Sequence, residues 1–225
     1  HETWSDIARK IAHEIKNPLT PIQLSSERLE KKIKNTAIDN NEITDCIDTI
    51  RRQVNEIGYL VDEFSNFARL PNPILEKQDI YEIIINIVND YRNNYKKIDF
   101  ECNFSRKKYE MLIDKSQISR VFQNLIINSI HAIQEANVSN GKIIVESSVT
   151  NDYLNILILD NGVGLKYEKN ELIKPYFTTK KRRGGSGLGL AIVEKILFDH
   201  NAEFFIENRN DGTEGAKVDI KFDNK

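Results

Sequence analysis

Cysteine is nearly absent. Cys46 and Cys102 stand alone among 225 residues, and neither has the spacing of a disulfide framework or a metal site. The reading is two idle free thiols in a reducing compartment. Long apolar runs are also missing: none approaches the roughly 18 residues that a membrane helix needs. The first residue is a histidine, and no signal-like stretch follows it. The expectation is a soluble piece of something longer. No sign of charge dominates. A net charge of −2 with 29% charged residues points neither to nucleic acid nor to an anionic membrane. Internal repeats and low-complexity segments are absent, and so is the Gly-Lys-Ser/Thr end of a Walker loop.

Glycine is scarce in one half of the chain. Residues 1–69 contain only Gly58 and read as two long helices. In the second, Ile43, Ile47, Ile50, Val54, Ile57, Val61, Phe64 and Ala68 alternate steps of four and three, which is a heptad seam. The first helix repeats the seam more weakly. Trp4, Ala8, Ile11, Ile15, Ile22 and Leu29 fit it, while Pro18 and Ser25 take two of its positions. Between the helices, "NTAIDNNE" (35–42) is polar and turn-prone. Two apolar stripes on one hairpin exceed the surface that the hairpin offers itself, so two hairpins forming a four-helix dimer is the economical expectation. The alternative is a hairpin packed on the rest of its own chain.

"IAHEIKNPLTPI" (11–22) places His13 off the apolar face of the first helix, so the histidine is expected to face water. Asn17-Pro18 and then Pro21 should interrupt or bend the helix just beyond it.

"LPNPI" (70–74) breaks the helical pattern and opens a mixed region. "IYEIIINIVNDY" reads as helix, "KKIDFECNF" and "YEMLI" as strands, and "SQISRVFQNLIINSIHAIQEA" as a strong helix. "GKIIVESSVT" and "LNILILD", bounded by Asn-Asp, predict an antiparallel hairpin. "LGLAIVEKILFDH" is a helix, and "AEFFIEN" and "AKVDIKF" close the chain as strands. Grouped strands and helices argue an α+β layer sandwich. The division expected is a helical domain at 1–70 and an α/β-sandwich domain at 71–225.

Four stretches of this second region carry chemistry. "LDNGVGL" (159–165) follows an apolar strand. It is a good turn sequence. It would equally suit a buried carboxylate, Asp160, that accepts from an amine such as that of adenine, with Gly162 and Gly164 letting backbone approach a flat ring. "GGSGLGL" (184–190) opens the last helix, where free N–H groups can meet an anion; a flexible linker is the plainer reading. "NLIINSIHAI" (124–133) puts Asn124, Asn128 and His131 on one helical face. Asparagine carbonyls are hard neutral oxygens that suit Mg2+; asparagines on a solvated face are the alternative. "KPYFTTKKRR" (174–183) joins an aromatic pair to a basic run between the two candidate nucleotide loops. His200 ends a helix, where a cation would suit the dipole.

In this order, the motifs resemble the catalytic and ATP-binding domain of bacterial two-component sensor histidine kinases, and "HEIKNPL" resembles the phospho-acceptor box of that family. "WSDIARKIAHEIKNPLTPIQLSSERL" with "RRQVNEIGYLVDEFSNFARLPNP" is similar to the NtrY-type nitrogen-regulation sensors. The resemblance implies a kinase core whose His13 is phosphorylated from ATP and passes phosphate to a response-regulator aspartate, with a phosphatase reaction as well. It implies that Glu14 polarises the histidine ring and that Asn17 orients water for the reverse reaction. It makes Asn128 the Mg2+ ligand with Asn124 beside it, and Asp160 the adenine reader with Gly162 and Gly164. Phe177 falls to the ATP lid, Gly185, Gly187 and Gly189 to phosphate contact, and Thr178, Thr179, Lys180 and Leu188 to nucleotide binding.

The implied partners are a second copy of the chain and an NtrX-type regulator. The complete protein is expected in the cytoplasmic membrane through a region outside this sequence. Three departures stand out: "GGSG" where the family often has threonine after the first glycine, a short lid between Gly164 and Gly185, and His131 where the family often has Lys or Arg. Two other readings remain, an ATPase of the same nucleotide-binding fold and a non-catalytic dimeric scaffold.

Overall fold

The computed structural model describes residues 4–34, 40–68, 71–150, 152–173 and 187–223. It divides into two compact units. The first contains a hairpin of two helices, α1 (Trp4–Lys34) and α2 (Asn40–Ala68), packed along one another. Most of the predicted turn at 35–42 lies outside the described residues.

The helix α1 runs unbroken through Pro18 and Pro21, which corrects the expected interruption. Each proline removes one backbone donor, so the carbonyls of Glu14 and Asn17 lose their helical partners. Thr20 Oγ1 donates back to the Lys16 carbonyl at 3.3 Å. Packing offsets the loss, because Pro18 and Ser25, the two odd members of the seam, are both buried. On α2 the seam splits. Ile43, Ile50 and Ile57 are half-buried, while Ile47, Val54 and Val61 remain 44%, 53% and 46% exposed.

The second unit is a two-layer sandwich. Its strands are β1 (Glu76–Asp79), β2 (Ile98–Asn103), β3 (Glu110–Ile113), β4 (Gly141–Val149), β5 (Tyr153–Asp160), β6 (Ala202–Asn208) and β7 (Ala216–Asp223). Its helices are α3 (Ile80–Asn94), α4 (Lys115–Ala136), the single turn α5 (Lys169–Leu172) and α6 (Gly189–Asp199). The main sheet has the order β2-β4-β5-β7-β6, with β2 and β4 parallel and the other pairs antiparallel. The β4–β5 hairpin is as the sequence predicts. A second, two-stranded sheet pairs β1 with β3. The polar "EKQD" of β1 gives no periodic signal and becomes a strand by pairing with β3.

Helices α3, α4 and α6 cover one face of the sheet, with α4 packed against both other helices and against β4 and β5. The core comes from strand alternation: along β5, Leu154, Ile156, Ile158 and Asp160 face inward and are buried. Asp160 is thus a carboxylate in the helix-facing layer.

The N-terminus of α4 is closely tied. Asp114 Oδ1 accepts from the N–H groups of Ser116 (2.9 Å) and Gln117 (3.1 Å), and its Oδ2 accepts from Ile74 N–H at 3.0 Å. Gln117 Nε2 donates to the Pro71 carbonyl at 2.9 Å, so the "LPNPI" segment is anchored to α4 at two points. Burial pushes the Asp114 carboxyl upward, but these hydrogen bonds together outweigh it and hold it below the usual range. Asp114 N–H donates to His200 Nε2 at 3.0 Å, while His200 Nδ1 sits 2.7 Å from the Ile196 carbonyl. An acceptor Nε2 has no proton, so the ring is neutral with its proton on Nδ1. The cation expected at the end of α6 is replaced by a hydrogen-bonded latch between α6 and α4.

Candidate functional site

Two of the four sequence motifs converge on α4. At its C-terminal end, β5 delivers Asp160, 3% exposed, at the start of the turn that follows. A buried carboxylate needs hydrogen bonds in place of water. Asp160 Oδ1 accepts from Gly162 N–H at 2.9 Å and from Ala216 N–H at 3.1 Å. With Oδ1 committed to protein donors, Oδ2 is the oxygen left for a ligand amine.

The glycines of this turn have a different job from the one expected of them. A Cβ on Gly162 would lie 2.5 Å from the Ala132 carbonyl carbon and 2.7 Å from the Ile133 nitrogen. The space it leaves is filled by α4, and Val163 N–H donates to the Ala132 carbonyl at 3.3 Å. Gly164 has φ +65° and leaves room for the Asn208 amide, whose Oδ1 is 2.6 Å from where a Cβ would stand. The contacts shown to require glycine here are to protein. Asn161 locks the turn from the other side. Its Oδ1 accepts from Lys142 N–H (2.7 Å), and its Nδ2 donates to the Asn140 carbonyl (2.8 Å).

Two turns of helix earlier, Asn124 Nδ2 donates to the Arg120 carbonyl at 2.9 Å. That bond sets the amide, and Oδ1 faces Gly189 at the first turn of α6, 2.9 Å from where a Cβ would be. Asn128 and His131 follow on the same face, both half-buried. Gly187 has φ +69° and Leu188 is fully buried. One helix therefore carries the Asp160 turn at Ala132 and the end of the glycine motif at Asn124. The separation is eight residues, about 12 Å at 1.5 Å per residue.

The remaining candidates are placed as follows. His13 and Glu14 lie in α1, and their side chains are outside the described residues. Asn17 is exposed on the same helix. Phe177, Thr178, Thr179, Lys180 and Gly185 also fall outside the described residues. Sequence reasoning missed Asn208, Arg209 and Ala216, which touch the Asp160 turn from the end of β6, the residue after it and the start of β7. "NRNDG" signals only a turn, and nothing local ties it to a motif more than 40 residues earlier. Cys46 and Cys102 are half-buried free thiols; burial pushes the Cys102 thiol upward, only partly countered by Arg92. Among the described residues, no group of three His, Cys, Asp or Glu side chains is placed to hold a metal ion, and no helix is long and apolar enough to cross a membrane.

Residues 3–73 match the His Kinase A (phospho-acceptor) domain family, and residues 113–225 match the histidine kinase-, DNA gyrase B-, and HSP90-like ATPase family. The chain is 42% identical over 223 residues to the nitrogen regulation protein NtrY of Azorhizobium caulinodans, covering 97% of this chain and 28% of that protein. It is 39% identical over 225 residues to a putative sensor histidine kinase NtrY-like of Rickettsia conorii, covering 99% of this chain and 36% of that one. It therefore spans well under half the length of either relative. The fold is shared with the histidine kinase ThkA, solved in complex with response regulator protein TrrA: TM-score 0.71, 22% identity, 98% of this chain and 61% of that chain.

Proposed function

Because the chain belongs to the sensor histidine kinases, with NtrY-like proteins among its relatives, we propose that it phosphorylates itself on His13 from ATP and passes the phosphoryl group to a response-regulator aspartate. The proposed division is a dimerisation and phospho-acceptor domain at 1–70 and an ATP-binding domain at 71–225. The observation that carries this reading is that the Asp160 turn and Gly189, the end of the glycine motif, both pack on α4. The base would sit at the Asp160 end, its amine donating to Oδ2. The phosphates would lie toward Asn124, Asn128 and the N-terminus of α6, where free N–H groups and the helix dipole favour an anion.

The asparagines fit a magnesium ion, which takes few protein ligands and keeps phosphate oxygens and water. Asn128, with Asn124 beside it, would hold that ion, whose contribution is to neutralise triphosphate charge.

In the transfer, an imidazole nitrogen of His13 attacks the γ-phosphorus. An N–P bond forms, the P–O bond to ADP breaks, and the proton on the other ring nitrogen is held by Glu14. A neutral imidazole, with an ordinary pKa of about 6.5, is the nucleophile near pH 7. The prolines at 18 and 21 thin the backbone bonding just after His13, so the helix on either side can move separately and expose or hide the histidine. Labelled phosphate from ATP should be stable in alkali and lost in acid, as a phosphoramidate is; an acid-stable label would contradict the reading.

Asn17 is one turn from His13 and exposed. Its neutral amide can hold a water in line with an aspartyl phosphate, which requires positioning and no proton transfer. Asn17→Ala should leave autophosphorylation within a few-fold and slow regulator dephosphorylation by about ten-fold or more. Loss of phosphate from a purified phospho-regulator measures this. Equal loss of both activities would make Asn17 structural. The regulator is proposed to be of the NtrX type, and the complete protein is proposed to reside in the cytoplasmic membrane.

The active form is proposed to be a dimer through the exposed half of the seam. Ile47, Val54 and Val61 recur every seven residues and stay in water in the single hairpin. Burial of each contributes roughly 1.5–3 kcal/mol. Val54→Glu should convert the chain to a monomer in sedimentation at tens of micromolar. A dimer that survives the change places the contact elsewhere.

A further inference from the structure

Asp160 does not hold its own position. Its Oδ1 is shared between a donor in its own turn and Ala216 N–H on β7, and its main-chain carbonyl accepts from Arg209 Nη1 at 3.1 Å. Arg209 follows directly after β6, and its side chain is 11% exposed. Its Nε and Nη2 pair with both oxygens of Asp211, and its N–H donates to the Gly215 carbonyl at 3.0 Å. The guanidinium beside Asp211 holds that carboxyl down to about 2, with the Thr213 N–H adding to the effect. One edge of the guanidinium is therefore fixed by a two-point pair, and the remaining arm is aimed at Asp160.

Asn208, the last residue of β6, holds the other end of the turn. Leu165 N–H donates to its Oδ1 at 2.6 Å, and its Nδ2 donates to the Leu165 carbonyl at 3.0 Å. One amide thus bridges both polar groups of a single residue, as a neighbouring strand would.

We propose that Asn208 and Arg209 are positioning residues for nucleotide recognition: they clamp the turn 160–165 at both ends, aim the Asp160 carboxylate at the base, and so set the preference for a base that carries an exocyclic amine. This rests on the reading of Asp160 as the amine acceptor. The chemistry needs fixed aim because a carboxylate and an amine discriminate only at hydrogen-bond distance. A carboxylate free to turn away would leave the amine to water and tolerate a carbonyl in its place. Lysine cannot replace Arg209, since a point charge lacks the fork that reaches Asp211 and Asp160 together.

The test compares ATP with inosine triphosphate, which has a carbonyl where adenine has its amine. Dissociation constants are measured by calorimetry on the full chain, with thermal melting as the check of folding. Arg209→Met, Arg209→Lys and Asn208→Ala should each weaken ATP by about five-fold or more and leave inosine triphosphate within about two-fold, so that discrimination falls. Asn208→Asp keeps the acceptor for Leu165 N–H and loses the donor, so it should fall between Asn208→Ala and the unaltered chain. It and Arg209→Lys carry the test if the other variants do not fold. Equal weakening of both nucleotides would make the two residues structural and overturn the proposal. Asp160→Asn separates the two layers. If it abolishes discrimination while the Asn208 and Arg209 variants retain it, the clamp alone is wrong. If Asp160→Asn itself leaves discrimination intact, the reading of Asp160 and the clamp built on it both fail.

Discussion

His13→Gln is expected to abolish autophosphorylation while ATP binds with unchanged affinity. Glutamine keeps polarity and is a good helix former, but its amide nitrogen has no lone pair free for attack. Asn124, Asn128 and the Asp160 turn lie in the other unit, so removing the acceptor should leave them untouched. The other described histidines are poor substitutes. Both ring nitrogens of His200 are engaged, with Asp114 N–H and with the Ile196 carbonyl. His131 is half-buried on α4. Label incorporation from ATP, with binding followed separately, measures both halves of the expectation. Phosphate on His131, His200 or a hydroxyl in the variant would remove His13 from the mechanism.

Asp160→Asn is expected to weaken ATP by roughly 1–3 kcal/mol, about five- to 150-fold. The substitution keeps shape and removes charge. Because Oδ1 accepts from Gly162 and Ala216, the asparagine must keep its oxygen there and turn its NH2 toward the base. A donor then faces the adenine amine, itself a donor, and the pair repels. The same bonds predict that the fold survives, since the two backbone donors keep their acceptor. Calorimetric titration with ATP, beside a melting curve, measures both. Undiminished affinity in a folded variant would reduce "LDNGVG" to a turn.

The longer strands and helices of the second unit were legible because their signals are local. The alternation in "LNILILD" gives β5, and it also explains why Asp160 is buried, because that residue falls on the inward beat. The apolar face of "SQISRVFQNLIINSIHAIQEA" gives α4 with Asn124 and Asn128 on one side. What stayed illegible depends on contacts at long range. "EKQD" has no periodicity and becomes a strand only because β3 lies beside it. The prolines at 18 and 21 argue locally for a broken helix, yet burial of Pro18 on the seam keeps it whole. His200 looks like a cation at a helix end until Asp114, 86 residues earlier, donates to its ring. Glycines at 162 and 164 suggest room for a ligand, and the structure gives that room to α4 and Asn208. The clamp formed by Asn208 and Arg209 had no signal at all, since its partners lie 43 and 49 residues away.

The central claim is that phosphate moves from ATP to His13. Incubation of the chain with ATP and Mg2+, followed by peptide mass spectrometry at neutral to alkaline pH, tests it most directly. The predicted result is a single phosphorylated peptide spanning residues 11–16 with the phosphate on His13. Phosphate confined to any other residue, or none on a chain that binds ATP, would contradict it.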